Sequence, residues 1–139
     1  MRTLFLIASL VSLSMPAAAG SPNGKWSMAN GKVIVRVTEC GGQSLCAKIV
    51  GLKEPTYKDG KRKVDRFNKS AKLRKRPLIG LSLVRNMRPK GSNTWAGTIY
   101  NPDDGNTYSA TVTLNGNTMR LQGCVLGALC KTQTLVRVE

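Results

Sequence analysis

The sequence predicts an all-β protein, an eight-stranded antiparallel up-and-down barrel. Three observations carry this. Apolar and polar residues alternate along most of the chain, the period of a strand with one buried face. Glycine-containing turn dipeptides recur between the alternating runs. The length left after the first residues are set aside suits one hydrophobic core. A two-sheet sandwich would give the same alternation. A barrel is preferred because an open meander keeps two unpaired edges, and eight strands make a barrel just wide enough for side chains or one small ligand.

The elements follow in chain order. The first 19 residues read as a secretory signal: Arg2 is the positive start, Leu4 to Leu13 the apolar stretch and Ala17-Ala18-Ala19 the small-residue cleavage site. The stretch is broken by Ser9, Ser12, Ser14 and Pro16 and falls short of the roughly 20 apolar residues that span a bilayer. The residue directly after the expected cleavage site is Gly20 and not a cysteine that could carry a lipid. The rest, 20–139, is expected to be a single domain in the periplasm or outside the cell, with no transmembrane segment.

Strands are expected over 25–29, 33–40, 45–52, 77–87, 94–101, 107–115, 118–125 and 129–138. The clearest is the sixth, where Tyr108, Ala110, Val112 and Leu114 alternate with Thr107, Ser109, Thr111 and Thr113. In the second, Val33, Val35 and Val37 alternate with Arg36 and Thr38, Ile34 being the exception; in the seventh, Met119, Leu121 and Val125 alternate with Thr118, Arg120 and Gln122. Asn30-Gly31, Gly41-Gly42, Asp104-Gly105, Asn115-Gly116 and Gly127 supply the positive φ that tight hairpins use. One segment departs from the pattern. Lys53 to Arg76, between the third and fourth strands, carries 11 basic and 3 acidic residues. Phe67, Ala71 and Leu73 are placed there on the inward face of a short helix stopped by Pro77. A connection this long is where binding residues are expected.

Four cysteines in an exported chain read as disulfides, and the chain has no histidine to complete a mixed metal site. Cys40 and Cys46 flank one glycine-containing turn and Cys124 and Cys130 another, so each pair is expected to bridge within its own hairpin. No metal and no cofactor is expected. The formal charge of +15 becomes +14 when the signal takes Arg2 with it, a balance that attracts anions and keeps the chain soluble.

Several stretches share a pattern: Gly24-Lys25-Trp26, Glu39-Cys40-Gly41-Gly42 with Leu45-Cys46, Asp65 with Asn68, Leu73-Arg74 through Leu81, Trp95 through Tyr108, and Gly123-Cys124 with Cys130 and Thr132-Gln133-Thr134. In this order they resemble the DUF2147 family of exported bacterial proteins. The resemblance implies a lipocalin-like β-barrel with no established enzymatic activity and no settled ligand. Leu135 stands where the family usually has tryptophan, and Ala47 where it usually has glycine.

The lack of histidine removes the commonest general base and the Ser-His and Cys-His nucleophile pairs, so no enzymatic activity is expected. Asp103 and Asp104 read as turn residues of a Pro-Asp-Asp-Gly turn. Trp26, Trp95, Tyr100 and Tyr108 are candidates to line a cavity, with core packing as the plainer role. Lys61, Arg62, Lys63, Arg66, Arg74, Lys75 and Arg76, with Lys69 and Lys72 among them, are candidates for anion binding, with a solvated loop as the alternative. Asp65 and Asn68 are expected to organise that loop, Asp65 by pairing with Arg76. Two functions fit. One is a container for a small hydrophobic or amphipathic envelope molecule. The other is a cationic surface module for anionic lipid, lipopolysaccharide or cell-wall polymer. Nucleic acid is disfavoured by the export signal and by the few aromatics, Tyr57 and Phe67, among the loop's cations.

Overall fold

The computed structural model describes Val11 and residues 20–28, 30–125 and 129–139. The expected cleavage site and nearly all of the expected signal lie outside those residues, as do Ala29 and Gly127. Eight antiparallel strands close into one barrel in sequence order: β1 Gly24–Met28, β2 Val33–Glu39, β3 Leu45–Leu52, β4 Ser82–Gly91, β5 Thr94–Asn101, β6 Asn106–Asn115, β7 Thr118–Val125 and β8 Leu129–Arg137. The up-and-down barrel is therefore as the alternation predicts. Its closure is the antiparallel pairing of β1 with β8, through Trp26↔Arg137, Ser27↔Val136 and Met28↔Leu135.

The register explains the burial. Trp95↔Val112, Val112↔Leu121, Leu114↔Met119 and Met119↔Leu135 place inward side chains opposite one another around the wall. Trp26, Ile49 and Met87 are almost completely buried among them. Full burial of an apolar side chain of this size stabilises by about 1.5–3 kcal/mol, so this ring is the main force holding the strands.

The fourth strand begins later than the sequence predicts, at Ser82 rather than residue 77, and runs on to Gly91. Gly80 is the cause at the start: its φ of 93° turns the chain, and Leu81 N–H bonds back to the Leu78 carbonyl. At the other end Pro89 would be expected to stop a strand, having no N–H to donate. It pairs with Trp95 at a point where the β4–β5 register slips, so the missing donor is tolerated.

The long connection is compact. Its first part folds back on itself, with Tyr57 N–H to the Lys61 carbonyl (2.8 Å) and Lys63 N–H to the Pro55 carbonyl (3.0 Å); Asp65 N–H then bonds to the Arg76 carbonyl (3.0 Å) and Leu78 N–H to the Lys63 carbonyl (3.0 Å). Its only helix is one 3-10 turn, Ala71–Leu73, with no buried residue. The expected inward face of Phe67, Ala71 and Leu73 is corrected: all three are exposed, because a single turn among so many cations has no apolar surface to meet.

Candidate functional site: the cavity at the open end

An up-and-down barrel has two unlike ends. At one lie the β2–β3, β4–β5 and β6–β7 turns together with the start of β1 and the end of β8. Both tryptophans serve that end. Trp26 Nε1 donates to the Pro22 carbonyl at 2.9 Å and Trp95 Nε1 to the Gln43 carbonyl at 2.8 Å, so neither buried indole leaves a donor unpaired. Arg137 lies over the Trp26 ring, 4.3 Å from its centroid, and donates to the carbonyls of Ser21 and Asn23 and to Asn117 Oδ1. This end is stoppered.

The opposite end carries the β1–β2, β5–β6 and β7–β8 turns and the long connection, and there the barrel holds a cavity of about 530 Å³. Its deeper wall is Met28, Ile49, Leu83, Ile99 and Leu121; its upper wall includes Tyr108, Asp104, Lys131 and Gln133. A second space of about 40 Å³ continues toward the core, lined by apolar side chains, and shares Met28, Leu83, Ile99 and Leu121 with the first. It offers a water no polar partner, so it favours apolar matter. A void of this size with an apolar floor and a few polar groups near its opening is the ordinary form of a small-molecule site.

Of the four aromatic cavity candidates, Tyr100 and Tyr108 line the space and Trp26 and Trp95 do not. Tyr108 donates its hydroxyl to Asp104. That bond raises the Tyr108 phenol pKa. Burial pushes the Asp104 carboxyl up, and the hydrogen bonds from Tyr108 and Asn106, with Lys69 nearby, outweigh it and hold the group below the usual carboxylate range. Tyr100 donates to Asp65 Oδ1 at 2.6 Å. Burial and then that bond raise its pKa.

Asp65 has no exposed surface and is the hub of the connection. Its Oδ2 accepts from Arg76 Nε (2.9 Å) and Asn68 Nδ2 (2.8 Å), and a second Arg76 nitrogen lies 2.9 Å away. The network fixes the connection to β5 through Tyr100. Next to it the β5–β6 turn comes so close that a Cβ at Gly105, whose φ is 72°, would lie 1.9 Å from the Phe67 carbonyl oxygen.

The seven anion-binding candidates all lie on this connection, and none lines the cavity. Lys61, Arg62, Arg66, Arg74 and Lys75 are exposed. Lys63 reaches Glu54 at 3.9 Å, Arg74 donates to the Asn68 carbonyl, and the fork of Arg76 is taken by Asp65. Arg66 stacks over Tyr57 and Phe67. The Cys40–Cys46 bridge lies at the stoppered end and Cys124–Cys130 beside the cavity, each within its own hairpin as the spacing predicts.

Sequence reasoning passed over Lys131 and Gln133. The signal was there in the second cysteine pair: Cys124 opposite Cys130 puts Lys131 opposite Gly123, Gln133 opposite Leu121 and Leu135 opposite Met119. Lys131 and Gln133 therefore share the inward face with Leu135.

An eight-stranded up-and-down barrel closed at one end and hollow at the other defines a lipocalin-like protein. The chain belongs to the family described as an uncharacterized protein conserved in bacteria (DUF2147), the match covering residues 24–137. Among solved structures it is similar to protein HP1028 from the human pathogen Helicobacter pylori, described as belonging to the lipocalin family. The TM-score is 0.70 at 25% sequence identity, over 84% of this chain and 82% of that one. No curated protein matches the chain. Among the described residues no group of three or more His, Cys, Asp or Glu side chains could hold a metal, and no helix is long and apolar enough to cross a membrane.

Proposed function

We propose that this protein is an exported, lipocalin-like carrier of a small hydrophobic or amphipathic molecule. The observation that carries the reading is the cavity of about 530 Å³, apolar below and polar near its opening. The likeness to a protein described as a lipocalin supports it, and the two disulfides are compatible with an oxidising compartment outside the cytoplasm. We read the protein as a binder rather than an enzyme. The Asp104 carboxylate of the β5–β6 turn is engaged locally, its Oδ1 accepting from Asn106 N–H and its Oδ2 from the Tyr108 hydroxyl, and there is no histidine to move a proton.

The test is native mass spectrometry of the protein purified from its own envelope. A co-purifying small molecule that is lost in Leu121→Trp, which fills the cavity, is the expected result. The same mass on Leu121→Trp would place the ligand elsewhere and overturn the reading.

The rival surface reading has one observation of its own: Arg62, Arg66, Arg74 and Lys75 are exposed on the same connection as exposed Phe67 and Leu73, and Arg66 lies over the Phe67 ring. Retention on anionic liposomes through these groups would weaken steeply with salt, whereas apolar binding inside the barrel changes little.

A further inference from the structure

One strip of the cavity wall has no structural explanation. Gly123 lies within β7, its φ is not positive, and among the described residues a Cβ there would find no atom nearer than the Ser109 carbonyl oxygen at 4.0 Å. Neither backbone conformation nor packing requires glycine. Glycine inside a strand weakens it and often marks a place where something approaches the backbone closely. Gly123 lines the cavity, so the missing side chain leaves a notch in its wall.

The neighbours of that notch are polar. Lys131 is directly opposite Gly123 on β8, and Gln133 is two residues along on the same face. On the other side Gly123 pairs with Ala110 of β6, and Tyr108 is two residues from Ala110 on the inward face. Adjacent strands lie about 4.8 Å apart, so β6 and β8 flank a gap of roughly 10 Å floored by glycine. Lys131 is the only cation that lines the cavity and makes no ion pair among the described residues. Two carboxylates line the same cavity, Asp103 and Asp104; Asp104 is taken by Tyr108 and Asn106, and neither forms an ion pair with Lys131.

Building on the container reading, we propose that the notch over Gly123 is an anion subsite and that the cavity takes an amphipathic acid. Its carboxylate or phosphate head lies against the Lys131 ammonium and the Gln133 amide, and its chain runs down past Leu121, Ile99 and Leu83. An ammonium beside a low-dielectric cavity attracts a carboxylate or phosphate strongly, and the charged head stays near water while the chain is buried. The wall cation of the cavity thus does the work first expected of the basic connection.

The experiment competes four ligands of equal chain length against the neutral fluorophore N-phenyl-1-naphthylamine on the full chain. They are dodecanoate, dodecyl phosphate, dodecanol and dodecyltrimethylammonium, all below their micelle concentrations. At least one acid should displace the dye at a concentration about ten-fold lower than the alcohol, the size expected of one charge-assisted contact. Lys131→Ala and Gly123→Val should each erase that advantage while dodecanol still binds. Which acid is stronger assigns the head as a fatty carboxylate or a phospholipid-type phosphate. Equal binding of acids and alcohol by the native protein, or an acid preference that survives Lys131→Ala, overturns the subsite and leaves the container intact. If neither the dye nor any of the four binds, the container reading falls and the subsite with it.

Discussion

Asp65 shows what one side chain does in this protein. It is fully buried and accepts from Arg76, Asn68 and Tyr100, so its charge is neutralised and its oxygens are occupied. Removing one partner of a buried pair costs more than the pair contributes, because the survivor keeps its desolvation. Arg76 is partly exposed and can recover some hydration. Asp65→Ala is therefore expected to lose about 3 kcal/mol, the lower end for such a change. Urea unfolding followed by tryptophan fluorescence measures it as a lower midpoint at unchanged slope, and a midpoint shift too small to resolve would contradict the hub role. Asp65 and Asn68 were visible in the sequence as the uncharacteristic residues of a cationic run. Their reach to Tyr100 was not, since no local spacing brings a loop residue to a strand 35 positions away.

Among the elements, the strands were legible where a strand has one wet face and one dry one. β6 is the clearest example, with Ala110, Val112 and Leu114 buried and Ser109 and Thr113 exposed. β8 shows the limit. Its inward residues Lys131 and Gln133 are polar because they face a cavity, so the alternation fails where the site is. Two of the four aromatic candidates fall outside the cavity for the opposite reason: Trp26 and Trp95 have the size to line a ligand space, but residue type does not say which end of a barrel a side chain closes. The long connection is set by a backbone contact instead of by apolar pattern. Gly105→Ala would force a Cβ into the Phe67 carbonyl at a position already in the left-handed region. It is expected to cost at least about 1–3 kcal/mol from the backbone conformation alone. Hydrogen exchange should show the amides of Asp65 and Asn68 losing protection while those of β2 keep theirs. Uniform loss across the barrel would mean that the connection is not a separate docking unit.

For the whole molecule, the seam between β1 and β8 decides whether there is a barrel at all. Three register pairs hold it, extended by Lys25 N–H to the Glu139 carbonyl at 3.0 Å and Val138 N–H to the Lys25 carbonyl at 2.9 Å. Val136 is exposed, so Val136→Pro changes little packing and acts mainly on the backbone ladder. An opened seam presents two strand edges to other copies. The variant is expected to associate as concentration rises, measured by size-exclusion chromatography with light scattering against the parent chain. Identical elution at all concentrations would show that the seam survives the proline.

The same seam sets the order of events during folding. Six of the other seven strand pairings join neighbours across short turns, and the seventh spans only the compact connection. The seam joins the two extremes of the described chain, and both covalent bridges lie inside single hairpins, so neither shortens that search. Contacts between distant parts of a chain form late, and closure is the slow event. Until then the nascent sheet is an open ribbon with a hydrophobic side and no inside, and the hollow that defines the finished protein comes into being in the last step.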